Sequence, residues 1–269
     1  MAIFYKPKLL HTANLTLNQI KIMTEKLEIP FPRELNGDPV QHQPGGLIPA
    51  RKTLTGQVVS LRPLAPETDA QALFECAHGS DDALRIWDYL AYGPWKNIQD
   101  HTHFLRQQAA SFDPIFYTIY SNEDNRPCGV ASFLDIHPQN GVIEIGHIWF
   151  SPALQRTRGA TEALFLMLDY AMTDLSYRRM QWRCNSLNER SRAAARRLGF
   201  RFEGIFYNHL IFKGHNRDTA WYSILNDEWP EVRELISNWL QSENFDQQGN
   251  AQISLSAGMQ NRLPGGRVI

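Results

Sequence analysis

The chain has 269 residues, of which 43% are hydrophobic and 20% are charged, and its formal net charge is −1. That length can bury one sizeable core and carry additions at its ends. The near-neutral charge gives no support for a broad nucleic-acid-binding or membrane-surface role. Cys76, Cys128 and Cys184 are isolated in the sequence. An odd number of thiols without paired spacing speaks against a disulfide framework and against a zinc site.

The sequence pattern does not indicate a membrane protein. The first residues lack the apolar stretch and small-residue cleavage pattern of a leader, and no segment is apolar over the length of a bilayer. We therefore expect a cytoplasmic protein without a membrane partner.

The predicted elements begin after a proline-rich extension, residues 1–53, that shows little periodicity. The order that follows is strand, two helices, three strands, helix, strand, helix and hairpin. The corresponding ranges are strand 56–64, helices 66–77 and 98–110, strands 115–121, 128–136 and 141–150, helix 160–175, strand 180–185, helix 188–200, and hairpin strands 203–213 and 218–225. Residues 54–227 are therefore predicted to form one mixed α/β domain.

The end of the chain predicts a helix followed by a polar tail. Residues 228–241 carry Pro230 in the first turn and an apolar face at helical spacing. Residues 242–269 are rich in Gln, Asn and Gly, and we expect them to be disordered.

The loop before the third predicted helix reads Gln155-Arg156-Thr157-Arg158-Gly159-Ala160-Thr161. The first N–H groups of a helix lack partners, and the helix macrodipole adds positive potential there. Two arginines at such a position suit an anion such as a phosphate. A solvated loop with an ordinary helix cap is the alternative that the local sequence leaves open.

The element order and this loop resemble the GNAT N-acetyltransferase superfamily over residues 56–226. The pyrophosphate loop of that family reads Gln/Arg-x-x-Gly-x-Gly/Ala, which corresponds to residues 155–160, with Arg158 where the first glycine is usual. A second segment, with Asn188, Ser191 and Leu-Gly-Phe at 198–200, resembles the ribosomal-protein alanine/serine N-acetyltransferase branch.

The resemblance implies an α/β GNAT fold, with a mixed, mostly antiparallel sheet flanked by helices, and acetyl-CoA as co-substrate without a metal. It also implies coenzyme contacts from the strand, the loop and the next helix. The residues at those positions are Ile148, Phe150, Gln155, Arg156, Thr157, Arg158, Gly159, Ala160, Thr161 and Asn188. The aromatic residues Trp87, Tyr89 and Tyr92 would border the acceptor site.

Glu144 is the candidate base. Acetyl transfer needs a neutral amine, and a carboxylate in an otherwise apolar strand is costly unless it has partners. A structural ion pair is the competing interpretation. His147 is the second candidate base. Regular alternation places His147 on the face opposite Glu144 and Ile148, unless a bulge changes the parity.

Ser191 is the candidate acid for the departing thiolate. Many relatives have a tyrosine seven residues after the helix asparagine, but this chain has Ala195 there. The branch that it resembles has a serine at the position of Ser191, which could instead make only a hydrogen bond within the helix.

These residues lead to the hypothesis of an N-acetyltransferase that moves an acetyl group to a primary amine by direct attack in a ternary complex. The acceptor is a protein α-amine or a small-molecule amine. Arg158 and Ala195 favour the alternative, a non-catalytic CoA-binding or protein-interaction module. The arginines of the 188–200 helix leave a ribosomal contact open, and the sequence does not decide between a monomer and a homodimer.

Overall fold

The structure is a computed structural model that describes residue 40 and residues 47–262. Its helices are α1 (Pro66–His78), α2 (Asp81–Leu84), α3 (Ile98–Ala110), α4 (Arg158–Asp169), α5 (Glu189–Arg197), α6 (Trp229–Trp239) and α7 (Leu255–Gln260). Its strands are β1 (Leu54–Thr55), β2 (Val59–Pro63), β3 (Ile115–Ser121), β4 (Pro127–His137), β5 (Val142–Phe150), β6 (Arg179–Asn185), β7 (Arg201–Phe212) and β8 (His215–Leu225). No helix among these residues is long and apolar enough to cross a membrane.

The described strands form one sheet in the order β1-β2-β3-β4-β5-β6-β8-β7. Every neighbouring pair is antiparallel except β5 and β6, which are parallel. That parallel pairing runs only from Val142↔Arg179 to Glu144↔Gln181. Beyond Glu144 the two strands are not paired with each other, so the sheet opens between them. The predicted mixed α/β fold with a mostly antiparallel sheet is confirmed.

Two apolar layers cover the sheet, one on each face. Alternation along β3 places Tyr117 in one layer and Phe116 in the other, because successive side chains point to opposite faces. We call them the α4 layer, which contains α4, α5, α6 and α7, and the α1 layer, which contains α1 and α3. Large side chains such as Leu168 in the first and Leu73 in the second are fully buried. Burying one such side chain stabilises the fold by about 1.5–3 kcal/mol.

Strand β5 contributes to both layers because it contains a bulge at residues 147–148. Pairing with β4 joins Ser132 to Gly146 and Val130 to Trp149, so that two residues of β5 lie opposite one residue of β4. His147 takes a positive φ of 51° there. Before the bulge, Ile145 belongs to the α4 layer, and after it Trp149 belongs to the α1 layer. The expected placement of His147 opposite Glu144 is therefore wrong, because the bulge changes the parity.

Helix α4 begins where the sequence predicts an anion site. Thr157 is its N-cap, and the Thr157 hydroxyl accepts a hydrogen bond from the N–H of Ala160 at 3.3 Å. A Cβ on Gly159 would lie 2.9 Å from Val59, so a glycine lets the helix start pack against β2. The helix continues as a π-helical turn, Tyr170–Asp174.

The expectation of disorder from residue 242 onward is wrong for residues 242–262. Leu255 and Met259 on α7 are buried in the α4 layer. Arg262 donates from Nη1 to the carbonyl of Gly199 at 3.0 Å and contacts Glu228 at 3.1 Å. These few apolar residues suffice because they pack onto an existing core and need not form one of their own. Residues 263–269, and residues 1–39 and 41–46 of the predicted extension, lie outside the described part.

Candidate active site

A cavity of about 1160 Å³ lies where β5 and β6 separate. It is lined by the end of β5, the loop before α4, the start of α5, and strands β6 and β8. A segment between α2 and α3 also contributes, including Arg85 and Tyr89. The opening exists because the parallel pairing stops at Glu144, which leaves one edge of the remaining β5 backbone without a strand partner.

One part of the cavity, here named the loop end, is formed by Gln155, Arg156, Thr157, Ala160, Thr161, Asn188 and Arg197. Arg156 has a positive φ of 63°, and the amide of Gln155 donates to the carbonyl of Phe150 at 3.0 Å. These contacts fix the loop at the start of α4, where the N–H of Ala160 is taken by Thr157 and the N–H groups before it have no intrahelical partner. Arg156 lies with Arg85 and Arg190 around a smaller adjoining hollow. The loop thus combines the N-terminus of α4 with the positive charge of Arg156.

The side chain of Arg158 lies outside the predicted anion site. It does not line the cavity but donates to the carbonyl of Leu240 at 2.5 Å, contacts the side chain of Gln57 and lies over the ring of Phe245. The positive charge expected from it at the anion site is therefore used to hold the end of α6 and the segment after it. Gly159 likewise packs against β2 and does not line the cavity. Only the backbone of these two residues remains for a ligand.

Arg197 is a cavity residue that the sequence did not single out from its basic helix. Its Nη1 donates to the hydroxyl of Thr161 at 2.9 Å, and its guanidinium lies 4.6 Å from the ring centroid of Trp239. Burial lowers the pKa of Arg197. The helix carries several arginines at similar spacing, so only the tertiary packing shows which of them faces the cavity.

Asn188 and Ser191 lie together at the start of α5. Asn188 is the N-cap, and its side-chain oxygen accepts from the N–H of Ser191 at 3.1 Å. The Ser191 hydroxyl accepts from the indole N–H of Trp182 at 3.0 Å. Because the indole can only donate, the Ser191 hydroxyl keeps its own proton for another acceptor. Both residues line the cavity.

The other part of the cavity, here named the strand end, contains Glu144, His147, Arg183 and Arg217. Glu144 is 3% exposed and forms an ion pair with Arg183, which also contacts Asp135. Burial raises the pKa of Glu144 to about 7, although the charge of Arg183 acts in the opposite direction. A carboxyl group with that pKa can take up and release a proton near neutrality.

His147 lies on the same side of β5 as Glu144 because of the bulge. Its Nδ1 is 3.1 Å from the hydroxyl of Tyr92, and its ring packs against those of Tyr92 and Phe116. Burial lowers the pKa of His147 to about 4, and the positive charges of Arg183 and Arg217 add to this effect. The imidazole is therefore neutral and weakly basic at neutral pH.

The three aromatic residues predicted to border the acceptor site lie in different environments. Trp87 is 1% exposed, donates to the carbonyl of Ala77 at 3.0 Å and belongs to the α1 layer, so the prediction that it borders the acceptor is wrong. Tyr89 lines the cavity, and its hydroxyl donates to the carbonyl of Leu187 at 3.2 Å. Tyr92 does not line the cavity, but its hydroxyl contacts His147, which does. Ile148 and Phe150 do line it, as expected. Among residues 40 and 47–262 there is no group of three or more metal-ligating side chains.

Comparison with known proteins identifies the GNAT family, which the sequence motifs resemble. The acetyltransferase (GNAT) domain family matches residues 59–201. A solved GCN5-related N-acetyltransferase from Brucella melitensis is 38% identical, with a TM-score of 0.77 over 80% of this chain and 96% of that chain. A solved GNAT-family chain from Chromobacterium violaceum is 36% identical, with a TM-score of 0.67 over 74% of this chain and 100% of that chain.

A curated relative carries a more specific name. A Bacillus subtilis protein with the name "Putative ribosomal N-acetyltransferase YdaF" is 28% identical over 174 residues, which are 64% of this chain and 93% of that protein. The domain match extends from β2 to the start of β7 and includes the named residues of both ends of the cavity except Arg217. The chain therefore belongs to the GNAT family and is an N-acetyltransferase.

Proposed function

We propose that the protein binds acetyl-CoA and a primary amine together in a ternary complex and transfers the acetyl group directly to the amine. Glu144 acts as the base. The observation that carries the proposal is the buried Glu144 carboxyl, whose pKa is about 7, in the wall of a cavity whose other part is lined by Arg156 and Arg197 and would bind an anion. The base and the anion site would then bind opposite ends of one reaction complex.

The loop end would hold the coenzyme. The N–H groups at the start of α4 and the guanidinium groups of Arg156 and Arg197 would take the diphosphate. The backbone near Ile148 and Phe150 has an edge without a strand partner and would pair with the pantetheine arm, as would the amide of Asn188. A backbone N–H on that edge would stabilise the tetrahedral oxyanion.

At the strand end, Glu144 would accept the proton of the attacking amine, directly or through a water molecule. The ion pair with Arg183 orients the carboxylate and keeps part of it ionised despite burial. Gly146 leaves room for the side chain of Leu134 beside the carboxylate, since a Cβ there would lie 2.8 Å from Leu134. His147 is the weaker candidate because its pKa is about 4. We propose Ser191 as the donor to the departing thiolate, since its proton is not used by Trp182.

We propose a protein α-amine as the acceptor class. The support is the second motif, Asn188 with Ser191, together with the name of the Bacillus subtilis relative. A small-molecule amine is the other class that the size of the cavity admits.

The test is release of free thiol from acetyl-CoA across a panel of N-terminal peptides and small amines. We expect turnover on at least one member and a kcat/KM that rises as the pH passes through about 7, as Glu144 ionises. Calorimetry with CoA runs in parallel. Tight CoA binding without turnover on any amine would contradict the proposal, and a pH profile that Glu144→Gln leaves unchanged would remove Glu144 as the base.

A further inference from the structure

Arg217 is a cation at the strand end of the cavity that has no anionic partner in the described part of the chain. Its side chain makes no ion pair and no hydrogen bond with residues 47–262, and its Nε is fully buried. By contrast, Arg183 next to it binds both Asp135 and Glu144. A guanidinium carries five N–H donors, and the one on Nε of Arg217 is buried without an acceptor, which is costly.

The surroundings of Arg217 hold it toward the cavity. Its guanidinium carbon lies 4.3 Å from the ring centroid of Phe212, and the residue lines the cavity together with Glu144 and His147. Burial lowers the pKa of Arg217, and its charge acts on both Glu144 and His147. The group is therefore close to the point where the amine would lose its proton.

We propose that Arg217 binds a carboxylate carried by the acceptor, so that the substrate is an amine with an acidic group close to it. This inference rests on the proposed function, and it adds to it the chemical class of the acceptor. A planar guanidinium matches a carboxylate through two parallel hydrogen bonds, which gives orientation as well as affinity. Such a pair would bring the amine beside Glu144 in a fixed position.

The carboxylate also lets the amine approach this cation, because it neutralises the guanidinium charge that would otherwise repel an ammonium ion. The carboxylate can come from the α-carboxyl of an amino acid or from an acidic side chain near the start of a peptide, and these two sources share one chemistry.

The experiment measures binding of matched acetylated products to the CoA-saturated protein by calorimetry. The first arm compares N-acetylglycine with N-acetylglycinamide, and the second compares acetyl-Ser-Asp-amide with acetyl-Ser-Asn-amide. We expect the carboxylate member of one pair to bind about tenfold to a hundredfold more tightly than its amide. The pair that shows the preference identifies the source.

The variants assign the preference to one side chain. Arg217→Gln should abolish the ratio between carboxylate and amide, and Arg217→Lys should keep part of it because it retains the charge without the planar fork. Arg106→Gln, which removes an exposed arginine paired with Glu67, should leave the ratio unchanged. Melting temperatures verify that each variant is folded.

Different results would contradict the role of Arg217 and the proposed acetyl transfer. Equal affinities of carboxylate and amide in both arms, or a ratio that survives Arg217→Gln, would overturn the role of Arg217. A retained ratio in the wild-type protein without acetyl transfer to any amine would overturn the proposed function and leave the carboxylate site in place.

Discussion

The two ends of the cavity differ in how they are built. The loop end depends mainly on residues close together in sequence, the turn at Arg156 and the cap at Thr157, and Arg156 is exposed while Arg197 from α5 is half-buried. The strand end depends on residues from three separate strands, and its Glu144 is buried and paired with Arg183. The difference has a consequence for the pKa of a carboxyl group, because burial disfavours the charged form and raises the pKa of Glu144.

The largest effect should come from Glu144→Gln, which tests the chemical role of the strand end. We expect a loss of about a hundredfold to ten-thousandfold in kcat/KM, because a general base is removed. The loss should shrink as pH rises, since more of the amine is then already neutral. CoA affinity should not change. Activity near that of the wild type at neutral pH would instead leave His147 as the base.

Substitution of Leu255 tests whether the C-terminal segment supports the loop end. Leu255 is 3% exposed, and Leu255→Ala should cost about 2–5 kcal/mol in the free energy of unfolding. Ile253, which is 69% exposed, provides the control, and Ile253→Ala should be nearly neutral. Denaturant titration measures both. Equal, small effects would mean that residues 242–262 are not part of the folded core.

Stability against pH tests the buried charge at the strand end. The pKa of Glu144 is raised from 4.5 to about 7, so the folded state binds its proton more tightly than the unfolded state. That contribution is present below pH 4.5 and is lost as pH rises through 7. The free energy of unfolding of Glu144→Gln, relative to wild type, should therefore increase by up to roughly 3 kcal/mol between pH 5 and pH 8. Parallel stability curves for the two proteins would contradict a raised pKa.

A matched pair of arginines tests the loop end. Arg156→Ala should weaken CoA binding about threefold to tenfold, because an exposed charge is screened. Arg158→Ala, two residues later, should leave CoA affinity nearly unchanged and lower the melting temperature, since that side chain holds Leu240 and Gln57. Calorimetry and thermal unfolding separate the two. The reverse result would place the charge of Arg158, and not that of Arg156, at the coenzyme.

The smallest effect should come from Ser191, which lies between the two ends. Ser191→Ala should lower kcat about twofold to tenfold, the amount expected for one hydrogen bond to a thiolate that is already a good leaving group. Ser191→Thr keeps a hydroxyl and should recover most of the rate. If both variants reduce kcat equally while the melting temperature falls, the hydroxyl acts only as the acceptor for Trp182.

The sequence identified the loop before α4 from local features. The glycine, the cap and the amphipathic spacing of α4 all lie within about twenty residues, and the fold order follows from similar local patterns. The local pattern did not place the side chain of Arg158, because its partners Gln57 and Leu240 are more than eighty residues away in the chain, and it did not single out Arg197 from α5.

The strand end could be predicted only in part. An acid in an apolar strand identified Glu144, but its partner Arg183 and the cation Arg217 come from β6 and β8, which no short pattern connects. Trp87 was misassigned because an aromatic residue in a loop gives the same sequence signal whether it faces a cavity or a core. The fold of residues 242–262 was missed because a polar composition does not reveal a few apolar contacts with an existing surface.

The bulge in β5 has a consequence for how this strand can change during evolution. Since His147 is the extra residue, its deletion would leave Gly146 opposite Ser132 and Trp149 opposite Val130 in regular alternation, and the Trp149 indole would stay in the α1 layer. Deletion of another residue with the bulge kept would shift the pairing by one position and exchange the two faces on one side of the gap. We expect a deletion scan of residues 143–150 to show that loss of His147 is tolerated best for folding.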